Sequence, residues 1–155
     1  MKDSEAGSTD LLEFYKGKAN NLKAKVLEFG VALMLLRSEG YYPRYIDRRF
    51  DSDEVDIISE KGMGRSMRVV VCECKNVRKD RVIGRNDVDR LVQRVRRVRA
   101  FFYRNEYAAF EGRYYTTSVF DESAKRFAGS VKKFQITLVD GKKLDEVFAQ
   151  SGVRL

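Results

Sequence analysis

The chain has 155 residues, and 31 Lys plus Arg against 23 Asp plus Glu leave a formal charge of +8 with no histidine contributing. One domain is expected at this length, and 43 % hydrophobic residues supply a core for it. Without histidine, Ser-His-Asp and Cys-His hydrolases, histidine-ligated zinc enzymes and histidine-dependent nucleases are excluded, so catalysis must run on carboxylates, lysine or hydroxyls.

Residues 1–10 are polar and read as a frayed tail, with a single domain over 11–155. The segment 11–39 reads as helix, with a break expected near Gly17 and an end at Gly40; Leu22, Val26, Phe29, Leu33 and Leu36 recur at the helical period. An extended segment follows over 41–49. Two β-branched runs, 54–60 and 68–75, are joined by a turn containing Gly62 and Gly64 and form a hairpin. A second helix is expected over 87–104 with Asp87 as its N-cap, then a strand (113–120), a helix opened by Asp121 (122–128), a strand (134–139) and a last helix (142–150). The order α-β-β-β-α-β-α-β-α is that of an α/β fold with a mixed central sheet flanked by helices.

Cys72 and Cys74 are the only cysteines, too few for a zinc site or a disulfide framework, which points to a reducing compartment. The polar start carries no signal-peptide pattern, and the longest apolar run, 31–36, is too short to cross a bilayer. A soluble, cytoplasmic protein with no membrane partner is therefore expected.

Positive charge is concentrated. Between Lys75 and Arg104 there are eleven basic residues (Lys75, Arg78, Lys79, Arg81, Arg85, Arg90, Arg94, Arg96, Arg97, Arg99, Arg104) against Asp80, Asp87 and Asp89. That stretch accounts for the whole +8, since the remainder balances at 20 against 20. It reads as a footprint for a polyanion or, failing that, as a solvated helix face.

Glu73 and Lys75 project from one face of their strand, and a hairpin symmetric about Gly64 and Arg65 puts Asp56 opposite Glu73. Two adjacent carboxylates repel unless a cation lies between them, and an all-oxygen site without imidazole or thiolate suits Mg2+ or Mn2+. The alternative is a solvated Glu and Lys ladder; against it, Val69, Val70, Val71 and Cys72 are apolar on both faces, as in a buried central strand. Glu28 is the only charged residue from Val26 to Leu36 and needs a partner, either in that site or locally in Lys25.

An apolar helix with a lone Glu28, then Val55-Asp56-Ile57-Ile58 and Val69-Val70-Val71-Cys72-Glu73-Cys74-Lys75, resembles the core of PD-(D/E)XK, or restriction-endonuclease-like, nucleases. The later runs 114–120, 123–128 and 136–144 are similar to the catalytic domain of Mrr-type restriction endonucleases. The superfamily's proline is replaced by Val55, and Glu73 stands where many Mrr-like members carry Gln. The resemblance implies the αβββαβ core, divalent metal (Mg2+ or Mn2+) on Glu28, Asp56 and Glu73, and Lys75 orienting the attacking water in metal-dependent hydrolysis of DNA phosphodiesters. Arg78, Lys79, Arg81, Arg85, Arg90, Arg94, Arg97 and Arg104 would then bind DNA phosphates, and a homodimer is expected for cutting both strands. Gln93 is similar to a glutamine of RecB-type exonucleases, but position 97 is Arg and Gln93 falls on the polar helix side. Thr116 and Thr117 would either border the site or serve as ordinary strand residues. A Holliday junction resolvase-like nuclease and a non-catalytic DNA-binding module on the same fold are the alternatives.

Overall fold

Four consecutive residues, Val69 to Cys72, are at most 1 % exposed, and the sheet is built around the strand that carries them. The computed structural model describes the backbone of residues 6–50, 53–104 and 106–154, with side chains from Leu22 onward except Phe50. Residues 1–5 of the expected tail lie outside the described residues.

The elements are α1 (Ala6–Glu39), β1 (Tyr42–Phe50), β2 (Asp53–Lys61), β3 (Arg68–Lys75), α2 (Arg85–Phe102), β4 (Ala109–Thr116), α3 (Glu122–Ser130), β5 (Gln135–Val139) and α4 (Gly141–Ser151). They form one mixed sheet in the order β1-β2-β3-β4-β5. The first three strands are antiparallel, whereas β3, β4 and β5 run parallel through the crossover helices α2 and α3. One core joins α1 and α4 to the sheet through Val31, Leu35, Ile57, Val70, Cys72, Leu144 and Phe148. The opposite core joins α2 and α3 through Ile58, Val69, Val71, Val88, Leu91, Val95 and Ala124.

Several expectations need correction. Helix α1 starts at Ala6 and runs unbroken past Gly17; one glycine costs about 1 kcal/mol in a helix, too little to interrupt so long a one. Gly40, at φ 73°, ends it with the Gly40 N–H on the Leu36 carbonyl and the Tyr41 N–H on that of Leu35. The face of α1 that meets the sheet is Leu27, Val31, Met34 and Leu35; Leu22, Val26, Phe29 and Leu33 point outward. Helix α2 starts two residues before Asp87: Gly84 is the N-cap, and the Asp87 carboxylate accepts the Gly84 N–H at 3.2 Å. Its end at Phe102 leaves Arg104 off the helix that carries Arg90 and Arg97. Strand β4 lies four residues earlier than 113–120 and includes Gly112, where a Cβ would come within 2.6 Å of Ile136 and 3.0 Å of Val95. That glycine marks close approach of α2 to the sheet, not a turn.

Candidate active site

Because β2 runs antiparallel to β3, the start of β2 and the end of β1 lie at the same edge as the carboxyl ends of the parallel strands β3 and β4. In open α/β sheets, that edge is where ligands bind. The register makes it acidic. Ile57 pairs with Cys72, so Asp56 comes next, opposite Glu73. Ile46 pairs with Ile57 and Arg48 with Val55, which brackets Asp47 opposite Asp56. Asp47, Asp56 and Glu73 thus form a row across three adjacent strands. The β2–β3 ladder stops short of Asp56, whose carboxylate instead accepts the Cys74 N–H at 2.7 Å.

Glu28 reaches this row from α1. It is 5 % exposed, and carboxylate oxygens of Glu28, Asp47 and Asp56 lie within 4.8 Å of one another. Lys25, one turn earlier on α1, ion-pairs with Asp47 and reaches Glu28 at 3.4 Å. Asp47 has φ 56°, the one described non-glycine residue in the left-handed region, and its Oδ1 is buried without a hydrogen-bond donor. Burial, the hydrogen bond with Asp47 and the charge of Asp56 push Glu28 up to about 8. Burial likewise raises Asp56 against the bond from Cys74. Asp47 moves the other way: burial opposes it, but hydrogen bonds with Lys25 and Glu28 hold it below the usual range.

Glu73 lies outside the cluster of three. Arg94 on α2 ion-pairs with it and bonds Asp53 at 3.1 Å, and Arg97 bonds the other Asp53 oxygen at 2.8 Å. Burial and the charge of Asp56 still push Glu73 up to about 7, while Arg94 and Lys75 pull it back. Lys75 is the half-buried last residue of β3. Cys72 and Cys74 are free and buried on the opposite side, with burial holding both thiols protonated.

Of the sequence-selected acids, the structure therefore brings Glu28 and Asp56 together and keeps Glu73 beside Lys75, engaged by Arg94. Asp47 and Asp53 were missed. Working out the register of the β1–β2 hairpin, as was done for β2–β3, was the signal that could have found Asp47.

Arg78, Lys79 and Arg81 are exposed on the segment after β3. Hydroxyls after β4 hold that segment down: the Thr117 Oγ1 accepts the Val77 N–H at 3.0 Å and donates to the Val77 carbonyl at 2.8 Å, and the Ser118 hydroxyl donates to the Arg81 carbonyl. Thr116, which bonds the Lys75 carbonyl at 3.1 Å, belongs to the same clasp. A cleft of about 630 Å3 opens between this segment and α1, lined by Lys23, Asn76, Val77, Arg78, Asp80 and Arg81. Arg90 is exposed on the α2 face that carries Arg94 and Arg97, and Arg85 lies over the Phe127 ring at 5.0 Å.

Among solved structures, the DNA modification-dependent restriction endonuclease AspBHI superposes with a TM-score of 0.61 at 17 % identity, covering 90 % of this chain and 33 % of that one. The protein of unknown function AF1548 gives 0.58 at 20 % identity, covering 83 % and 66 %. The MspJI restriction endonuclease, solved in complex with a 27-mer oligonucleotide, gives 0.53 at 19 % identity, covering 94 % and 34 %. The chain thus spans about a third of AspBHI and MspJI. No curated protein matches. A family model described as restriction endonuclease, the Mrr catalytic domain, matches residues 23–148. With the sheet order and the acidic edge in place, this match assigns the chain to the Mrr-type restriction endonuclease family of PD-(D/E)XK nucleases.

Proposed function

We propose that the protein is a divalent-metal-dependent DNA endonuclease whose active site is Asp56, Glu73 and Lys75 with Glu28 and Asp47. The observation that carries this reading is the convergence of Glu28, Asp47 and Asp56 within 4.8 Å, where Lys25 ion-pairs with Asp47 and Glu28 and the charge of Arg94 reaches Asp56. Three carboxylates without imidazole or thiolate fit a hard cation, Mg2+ or Mn2+. When bound, such an ion supplies an acidified water and charge stabilisation at the scissile phosphate.

The chain's own groups do the rest. The bond from Cys74 fixes Asp56, the residue shared by the two halves of the acidic row. Lys75 sets a positive charge beside Glu73, suited to holding a water or a phosphate oxygen at the strand end. Arg78, Lys79, Arg81 and Arg85 with Arg90 and Arg104 offer cations to a phosphate backbone, and the clasp by Thr117 and Ser118 keeps the loop among them in place. Arg94 and Arg97 are tied to carboxylates, so they serve the site's electrostatics before they serve DNA.

The test is nicking of supercoiled plasmid with and without Mg2+. Metal-dependent nicking that is lost in Asp56→Asn while DNA binding persists supports the reading; equal nicking by Asp56→Asn and wild type overturns it. Preference for a four-way junction over linear duplex of matched sequence would move the reading to a junction-specific nuclease.

A further inference from the structure

Two cavities of about 260 and 270 Å3 adjoin along the seam between α2 and α3, where both are lined by Phe127 and Ser130. Arg85 and Arg126 border the first, and Arg96, Lys132 and Lys133 the second, over an apolar floor of Val92, Phe127 and Val131. Together they make one groove with five exposed cations and no lining carboxylate. Lys125 and Lys143 each pair with a glutamate three residues away, whereas none of these five has an ion-pair partner among the described residues. The acids that open α3 are engaged elsewhere: Asp121 accepts the Ala124 N–H and the Ser123 hydroxyl, each at 2.7 Å, and Glu122 holds Lys125. The Ser130 hydroxyl is likewise turned back onto the Phe127 carbonyl, so recognition falls to the cations. Arg85 is held over the Phe127 ring at 5.0 Å, which orients its guanidinium and leaves the N–H groups for a ligand. Like charges gathered in this way repel one another, and a polyanion relieves the repulsion.

We propose that this groove is a second DNA site, which takes the phosphate backbone of a duplex segment other than the one at the acidic edge. Helix geometry separates the two. At about 3.6 residues per turn, Arg96 falls within about 20° of Arg85 around α2, whereas Arg90, Arg94 and Arg97 fall about 120–180° away. The helix therefore has two cationic faces, and only the one with Arg94 and Arg97 meets the carboxylates of the acidic edge. A duplex keeps its direction over about 150 base pairs, so a segment lying along one face cannot also wrap round to the other. Length and charge of the groove fit a strand backbone. Arg85 and Arg96 are eleven residues apart on α2, about 16 Å at about 1.5 Å per residue. One strand of a duplex presents a phosphate about every 3.4 Å of its axis, close to five over that length, one for each cation. The choice of DNA over other polyanions rests on the nuclease reading, since Arg85 joins the groove to the basic segment that the reading sets against phosphates. The chain would then bridge two DNA segments, one at the acidic edge and one behind α2.

The test uses a labelled duplex of about 15 base pairs, too stiff and short to reach both faces of α2, in EDTA so that no cleavage enters. Titration of the full chain at low salt should saturate at two duplexes per chain. The quadruple variant Arg96→Gln, Arg126→Gln, Lys132→Gln and Lys133→Gln should bind one, with the circular dichroism of wild type, because all four side chains are exposed. The single variant Arg126→Gln should lower the slope of log affinity against log salt by about 0.9 for the second duplex and leave the first unchanged. One duplex per wild-type chain at saturation, or two per quadruple variant, overturns the proposal. Displacement of the second duplex by poly-glutamate as readily as by unlabelled duplex would also overturn it, and assign the groove to an acidic protein chain. With Mg2+ added, the quadruple variant should nick the short duplex as wild type does. A wild type that binds two duplexes and nicks none would refute the nuclease reading and leave the second site standing.

Discussion

The acidic edge has two halves made of the same residue types and neutralised in opposite ways. On the α2 side, Glu73 and Asp53 are met by two arginines, Arg94 and Arg97. On the α1 side, Lys25 meets Glu28 and Asp47 while Asp56 has no ion-pair partner among the described residues, and Glu28 and Asp56, like Glu73, are pushed toward the protonated form. The first half resembles an ordinary, partly buried ion network, which contributes to the native state once both partners are in place. The second is electrostatically unfinished, as expected of a site that waits for a cation. Asp56 belongs to both, because it faces Glu73 on one side and Asp47 on the other.

The sharpest way to break this contrast is to remove one carboxylate from each half. Asp56→Asn and Glu73→Gln should each lower Mg2+-dependent nicking by roughly 100-fold or more, the scale for losing a group that stabilises transition-state charge. Glu28→Gln should cost about 10-fold, as for a residue that supports a ligand set. Their stabilities should separate the halves: in metal-free urea denaturation Asp56→Asn should be neutral or stabilising, because it removes a repelling charge. Asp53→Asn should instead lose about 1–2 kcal/mol, since Arg94 and Arg97 would both lose a partner. Destabilisation by Asp56→Asn matching that of Asp53→Asn would erase the distinction.

Arg94→Met attacks the neutralised half directly. It strands Glu73, 13 % exposed at its side chain, without its arginine, and should cost about 3 kcal/mol in urea denaturation. The double variant Arg94→Met with Glu73→Gln should recover much of that loss, a coupling that two independent sites would not show.

A smaller effect is expected from pH. Glu28 and Glu73 sit at about 8 and about 7, above the values of an unfolded chain, so the native state holds protons more tightly. Their contribution to stability is fully present near pH 4 and is lost as pH rises through 7 and 8. The melting temperature of the metal-free protein should therefore fall across that interval, and Mg2+ should oppose the fall by binding the deprotonated cluster. A melting temperature that is flat from pH 6 to 9 without metal would show that Glu28 and Glu73 are not under this strain.

The order of elements was legible because each rests on a local pattern: four apolar residues on both faces of β3, a cap at Asp121, and a glycine after α1. The opposition of Asp56 to Glu73 was legible too, because the β2–β3 hairpin is symmetric about Gly64 and Arg65 and its register follows from that centre. Asp47 was not. Its position depends on the pairing of β1, a strand with little alternation, and on a left-handed backbone that sequence does not announce. The role of Arg94 was hidden for a related reason. It was read as one more member of a basic stretch, while its partners come from positions 21 and 41 residues away. The outward face of α1 was misplaced because an all-round apolar helix gives period without direction.

The smallest effects should come from single arginines on the α2 face, and they divide along the same line. Arg90 is exposed, while Arg97 is 50 % exposed at its side chain and already bonded to Asp53. If Arg90 contacts a phosphate, Arg90→Ala should reduce the slope of log affinity against log salt by about 0.9, equally for unrelated duplex sequences, with a stability change within about 0.5 kcal/mol. Arg97→Ala should behave in reverse, with little change in the salt slope and a modest loss of stability, because its charge is spent on Asp53 before DNA arrives. Fluorescence anisotropy over a salt series, run beside urea denaturation, measures both quantities on each variant. Equal salt slopes in the two variants would mean that Arg97 leaves Asp53 for phosphate on binding, and that the neutralised half of the edge is rebuilt when DNA arrives.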